Sequence, residues 1–209
     1  MNDYRIDSIF PTPLYVATRS SNLDLTEEKE IKDIIEEGMH KNVYNTTTNN
    51  SYIFDTKLKK IKEFCKEHIN TYLEKLISPE KEIDLYITQS WINVNKPGES
   101  HHLHNHPNSI ISGVYYVATG EPEEDRIHFH DPTTHMKERM EFDIKEYNFW
   151  NSTTWFIPVE KNNLILFPSW LPHSVEKNEN ATIDRISISF NTFVRGKLGE
   201  KNHLNELII

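Results

Sequence analysis

The sequence predicts a mainly β fold with flanking helices, in which two helices precede one closed or sandwiched β unit. Three observations predict it. Apolar residues recur at helical spacing over residues 24–40 and 55–77. After Pro79 the pattern changes to short strand-like runs separated by Pro, Gly, Asn and Asp. The chain has 209 residues, 36% of them hydrophobic and 11% aromatic, which is enough core for one domain and too little for two comfortable ones. The expected organisation is a single domain over 1–209: helical and strand support over 1–83, a β core over 84–195 and a tail over 196–209.

Residues 4–16 read as extended, and Pro11 and Pro13 restrict them to an edge or kinked strand. A helix is expected over 24–40. Asp24 and Glu27 form a capping-box pattern, and Ile31, Ile34, Ile35 and Met39 make a buried stripe. Residues 43–52 are polar and loop-like. A single long helix is expected over 55–77, capped by Asp55, with Leu58, Ile61, Cys65, Tyr72 and Leu76 near one face. Strands follow at 85–95, 101–106, 109–119, 126–132, 155–159, 163–169, 173–178 and 185–195, with a Pro97-Gly98 turn after the first. Residues 133–154, which include Tyr147, Phe149 and Trp150, read as an insertion of the kind that serves as a lid. The tail ends in the apolar triplet Leu207-Ile208-Ile209, which could dock or swap.

Bulk chemistry narrows the function. A net charge of −9 argues against a nucleic-acid surface, which needs a basic footprint. One cysteine, Cys65, allows no intrachain disulfide and sits in a helical pattern as a small hydrophobe. No run approaches the length of a membrane span, and the first residues lack a basic segment followed by an apolar one. A cytoplasmic chain is expected, in a host cytoplasm if the origin is a phage. The N-terminal helices or the apolar C-terminus leave room for a homodimer.

The chemistry concentrates in Glu99-Ser-His-His-Leu-His-Asn-His-Pro, which ends at Pro107. His102, His104 and His106 alternate, and alternate side chains of a strand share a face. A stripe of imidazoles suits a bound transition metal such as Fe, Zn, Cu or Ni better than a core, with a solvated His-rich edge as the bland alternative. His173 follows LILFPSWLP and stands at a strand end, where it could complete a site. Arg185 opens the apolar strand RISISFN, with Ser187 on the same side, and the pair could grip a carboxylate. His128, His130 and Asp131 form a weaker cluster, read as a strand end with a turn-forming Asp-Pro. Trp91, Phe129, Trp155 and Trp170 are candidate pocket walls or ordinary core aromatics.

A His-x-His pair, a distant His and an Arg beyond it, set in SWINVN, HNHPNSIISGVYYV, LILFPSWLPHSV and RISISFN, resemble the Fe(II)/2-oxoglutarate-dependent oxygenases, most closely those of bacteria and phages. With IFPTPLY at the N-terminal end, the resemblance runs over about residues 8–195. It implies a double-stranded β-helix, also called a jelly roll and cupin-like. It implies Fe(II) on His104, His106 and His173. It implies 2-oxoglutarate held through its distal carboxylate by Arg185, with Ser187, Tyr116 and Asn93 lining the same site. The implied reaction uses O2, releases succinate and carbon dioxide, and hydroxylates a prime substrate that the residues do not name. The departure from that pattern is His106, where an aspartate is expected. Three neutral imidazoles leave the metal its full charge, unless Asp131 or Glu99 supplies a carboxylate or His102 takes the place of His106. Two other classes remain: a cupin-like metal enzyme without 2-oxoglutarate, echoed by Gly98 and His104-x-His106 but lacking the Glu where Ile110 and Ile111 stand, and a non-catalytic jelly-roll protein.

Overall fold

The computed structural model describes residues 3–121, 125–133 and 142–209. Of the extended run expected over 4–16 only the last two residues enter a strand: β1 (Tyr15–Thr18) begins after the two prolines and lies at the outer edge of the larger sheet, the edge position that the prolines predict. Helix α1 (Leu25–Glu37) starts on the expected capping box. The Asp24 carboxylate accepts from the backbone N–H of Thr26 and Glu27, and Glu27 Oε2 accepts from the Asp24 N–H at 3.0 Å. Its buried face carries Ile31 and Ile34.

Residues 43–52 are not simply a loop. Strands β2 (Met39–Asn42) and β3 (Asn45–Thr48) form a hairpin that extends the large sheet. Three consecutive threonines favour a pleated surface, and their hydroxyls bond the neighbouring strand: Thr46 Oγ1 donates to the Val94 carbonyl and Thr47 Oγ1 to that of Ile92.

The expected helix over 55–77 is also interrupted. A short α2 (Ile53–Thr56) precedes α3 (Lys59–Tyr72), which continues as a π-helical turn over Leu73–Ile77. The break is Leu58, whose φ of 59° is left-handed. Its side chain is fully buried, and its N–H donates to Glu30 Oε2 at 2.7 Å, so tertiary packing decides the kink. Asp55 therefore lies inside α2 and does not cap the long helix, and Leu76 is exposed rather than packed.

Eight further strands build the β core: β4 (Ile83–Asn95), β5 (His101–His104), β6 (Ile111–Ala118), β7 (Arg126–His130), β8 (Thr154–Pro158), β9 (Asn163–Pro168), β10 (His173–Val175) and β11 (Arg185–Leu198). A short β12 (Leu207–Ile208) docks the tail on β11. The large sheet runs β1-β9-β6-β11-β4-β3-β2 and the small one β5-β10-β7-β8, with antiparallel neighbours throughout. From β4 to β11 the chain passes back and forth between the two sheets, which is the double-stranded β-helix.

Strands β6 and β9 are buried on both faces, so their continuous apolar runs divide by alternation. Tyr115, Val117, Leu164 and Leu166 pack with α1 and α3, whereas Val114, Tyr116, Ile165 and Phe167 face the space between the sheets. Gly113 lies where a Cβ would meet the Phe190 ring at 2.1 Å, so the close approach requires glycine. Cys65 is wholly buried in the first of these clusters, and burial pushes its thiol above the ordinary range. No helix of the described residues is long and apolar enough to cross a membrane.

Candidate metal and keto-acid site

One end of the space between the sheets is lined by imidazoles. His104 ends β5 and pairs in register with His173, which opens β10. His106 lies just beyond β5, where its backbone N–H donates to the Ser169 carbonyl at 2.9 Å. The metal-binding atoms offered by His104, His106 and His173 all lie within 4.8 Å of one another. Nε2 of His106 is 3.3 Å from Nε2 of His173. Two imidazoles at right angles on one ion, at a bond length of about 2.1 Å, would hold their nitrogens about 3 Å apart, so the donor spacing fits a first-row metal.

The backbone orients two of the rings. Nδ1 of His104 is 2.8 Å from the His102 carbonyl, and Nδ1 of His173 is 3.0 Å from that of Leu171. A carbonyl can only accept, so each Nδ1 carries the proton and each Nε2 presents a lone pair inward. Burial, reinforced by the neighbouring rings, lowers the His106 pKa to about 4 and that of His173 to about 2, and burial lowers His104 as well. The rings are therefore neutral ligands at ordinary pH.

Among the described residues no carboxylate joins this group. Glu99 Oε2 accepts from the Lys96 N–H at 2.9 Å, and Asp131 Oδ1 accepts from both the N–H and the hydroxyl of Thr133. His102 stays outside the group too, its ring centroid 5.0 Å from that of His104. The His128, His130 and Asp131 cluster is a strand end next to the site. His128 faces Glu176 at 3.4 Å, and His130 Nε2 lies 2.9 Å from Ser174 Oγ.

Opposite the imidazoles, the large sheet supplies a buried cation. Arg185 opens β11 and is 6% exposed. Its Nη1 donates to the Arg126 carbonyl at 2.9 Å and lies 3.7 Å from Asp125 Oδ1; its Nη2 donates to the Tyr116 hydroxyl at 3.3 Å. Burial raises the Tyr116 phenol pKa, and Arg185 opposes that shift. Ser187 is in register with Tyr116 on one side and Asn93 on the other. Asn93 Nδ2 donates to Ser189 Oγ at 3.0 Å, and its Oδ1 is buried without a partner among the described residues.

His104, His106, His173, Arg185, Ser187, Tyr116 and Asn93 all line one cavity with about 490 Å3 of empty space, the solvent at its mouth included. Of the four proposed aromatic walls, Trp91 lines it, its ring 6.0 Å from that of His106. Phe129 packs in the core behind His173. Trp155 packs against Phe149 in a tilted contact away from the cavity, and Trp170 is 53% exposed. The proposed lid over 133–154 falls partly outside the described residues; Tyr147, Phe149 and Trp150 are exposed and do not line the cavity. Residue reasoning missed Asp125, His101, Asn95 and Asn45. Asp125 carries no motif. His101 was legible only as one more His, and Asn45 comes close through a hairpin that the sequence disguises as a loop.

Residues 89–191 match a family model described as "Putative 2OG-Fe(II) oxygenase". Solved structures with the same fold include the non-heme alpha-ketoglutarate-dependent carbocyclase SnoK from nogalamycin biosynthesis, at 13% identity and a TM-score of 0.59, over 87% of this chain and 79% of that one. A Pseudomonas putida prolyl-4-hydroxylase aligns at 13% identity and a TM-score of 0.53, over 86% of this chain and 92% of that one. HygX from Streptomyces hygroscopicus, solved with nickel, 2-oxoglutarate and hygromycin B, aligns at 10% identity and a TM-score of 0.54, over 87% and 82%. No curated protein sequence matches the chain at a significant level. The matched segment spans both histidine elements and the arginine strand, and over it the chain is similar to the Fe(II)/2-oxoglutarate-dependent oxygenases.

Proposed function

We propose that this chain is a hydroxylase that holds Fe(II) on His104, His106 and His173 and grips 2-oxoglutarate with Arg185. The observation that carries the reading is the opposition of three inward imidazole nitrogens to one buried guanidinium across a single cavity. The donor set fits the metal: three neutral nitrogens, two of them fixed by backbone carbonyls, suit iron and leave it open positions. Together the metal and the keto acid supply oxygen activation, in which O2 is consumed, 2-oxoglutarate becomes succinate and carbon dioxide, and the substrate gains a hydroxyl.

The remaining roles belong to the protein. Arg185 binds the distal carboxylate, and Asp125 with the Arg126 carbonyl keeps the guanidinium in place while its charge waits in a buried site. Tyr116 and Ser187 offer hydroxyls to the same carboxylate, and Asn93 a free amide atom. Trp91 and the apolar floor of Val114 and Ile127 exclude water from the reacting end. The entire chain works as one catalytic domain with residues 1–83 as its support, and it acts in the cytoplasm.

The test is anaerobic addition of Fe(II) and then 2-oxoglutarate, read by the weak visible charge-transfer band of a chelated keto acid. The expected result is a band in the wild type that is lost in H104A, H106A and H173A. Metal binding without a band would assign a cupin-like enzyme that does not use 2-oxoglutarate, and no metal binding would assign a non-catalytic jelly roll.

A further inference from the structure

His101 lies against the proposed metal site without belonging to it. It lines the cavity, but neither of its nitrogens joins the ligand group. Asparagines of one hairpin meet both of them. Nδ1 lies 3.3 Å from the Asn45 amide nitrogen, and Nε2 lies 3.5 Å from that of Asn42. Asn42 and Asn45 are in register with each other and close the β2–β3 hairpin, with Val43 and Tyr44 between them. Burial among other imidazoles keeps the His101 ring neutral, with one lone pair and one N–H. One asparagine therefore donates to it and the other accepts from it, since an amide offers either atom by a half turn. The hairpin end grips the edge of the ring at two points. That hairpin lies outside the residues that match the family model.

The face of the same ring rests on a proposed metal ligand. His101 stacks on His104, with centroids 4.6 Å apart and planes 15° from parallel. Among the described residues His102, His173 and His106 also lie beside His104, but their rings are inclined to it by 39°, 52° and 73°. His101 alone lies nearly flat on it. The hydrogen bond from His104 Nδ1 to the His102 carbonyl fixes the direction of one ring edge. It leaves the ring free to swing about that bond. A second ring stacked on the face removes the swing, because tilting parts the two faces or drives them together.

We infer that His101, held at its edge by Asn42 and Asn45, is a positioning residue for His104, fixing the plane of that ring so that Nε2 points at the ion. The inference rests on the oxygenase reading above, because it takes His104 as a metal ligand. His101 offers the ion no atom. It acts through His104, and the hairpin acts through His101. The contact tunes affinity and ligand geometry, and its effect stays well below that of losing a ligand.

The test uses the full chain with Zn(II), read by competition with a chelator, and with Co(II), whose visible bands report ligand geometry. H101A should weaken Zn(II) binding by about tenfold, the lower end of what an outer-shell partner contributes, and should shift the Co(II) bands. N42A leaves every ring in place and removes one point of the grip. It should shift the bands in the same direction and weaken Zn(II) by about two- to threefold, and it carries the test if H101A does not fold. T47V removes a hydroxyl that ties the same hairpin to the Ile92 carbonyl, and both readings should stay at their wild-type values. The positioning role is overturned if N42A or a folded H101A keeps the wild-type affinity and bands, or if T47V changes them as much as N42A does. Wild-type Zn(II) binding with unchanged variants removes the positioning role alone, whereas a wild type that binds no metal removes the oxygenase reading with it.

Discussion

The two ends of the cavity are built from different numbers of distant parts. His104 and His173 stand on β5 and β10, strands of four and three residues, with His106 on the turn beyond β5. Backbone carbonyls aim two of the three rings. Arg185, Ser187 and Asn93 stand on β11 and β4, strands of 14 and 13 residues paired along most of their length, and two side chains join the Arg126 carbonyl in holding the guanidinium. The imidazole end needs only correct local geometry around each ring. The guanidinium end needs Asp125, Arg126 and Tyr116 to arrive from two other strands and a turn. The first should tolerate change in the sheet and fail with its own ligands, whereas the second should fail when any member of the network is lost.

The largest expected effect separates the ends cleanly. H173A should weaken Fe(II) or Zn(II) binding by more than about 100-fold, beyond what loss of an outer-shell partner costs, as measured by competition with a chelator. R185A should leave metal affinity nearly unchanged and abolish 2-oxoglutarate binding by calorimetry. Because it leaves Asp125 buried beside a missing cation, it should also destabilise the fold by about 2–5 kcal/mol in urea unfolding. If R185A binds the keto acid like its parent, the carboxylate grip lies elsewhere. Y116F removes one hydroxyl and should reduce 2-oxoglutarate affinity by about five- to tenfold, with no change at the metal; an equal loss of metal affinity would mean that the two ends are one unit.

The smallest effect concerns protons. The His106 pKa is lowered to about 4 from an ordinary 6.5, so the unfolded chain takes up a proton before the folded one does. Stability is fully present above about pH 6.5 and declines as pH falls toward 4. His173, lowered to about 2, extends the loss to more acid pH. Thermal melting of the metal-free protein from pH 7 to pH 4 should show this decline, and H106A should flatten the upper part of it. A melting temperature that rises on acidification would contradict buried, neutral rings.

Much of this site was legible in the residue order. Alternation and chain length are local properties, so the eight core strands, the edge placement of β1 and the capping box of α1 all lie where periodicity and turn chemistry put them. The three histidines and Arg185 stand out because no packing role explains those residue types there. Three contacts between distant segments were decided only by the tertiary structure. Leu58 takes a left-handed backbone because its side chain fills the core and Glu30 accepts its N–H. Asp125 reaches Arg185 across the space between the sheets, from a turn with no pattern of its own. The threonine-rich hairpin, polar enough to read as a loop, pairs with β4 and brings Asn45 to Asn95 and His101. Residue spacing encodes which way a side chain points along its own element. Which far-off side chain it meets depends on sheet register, and that is set only when the whole core packs.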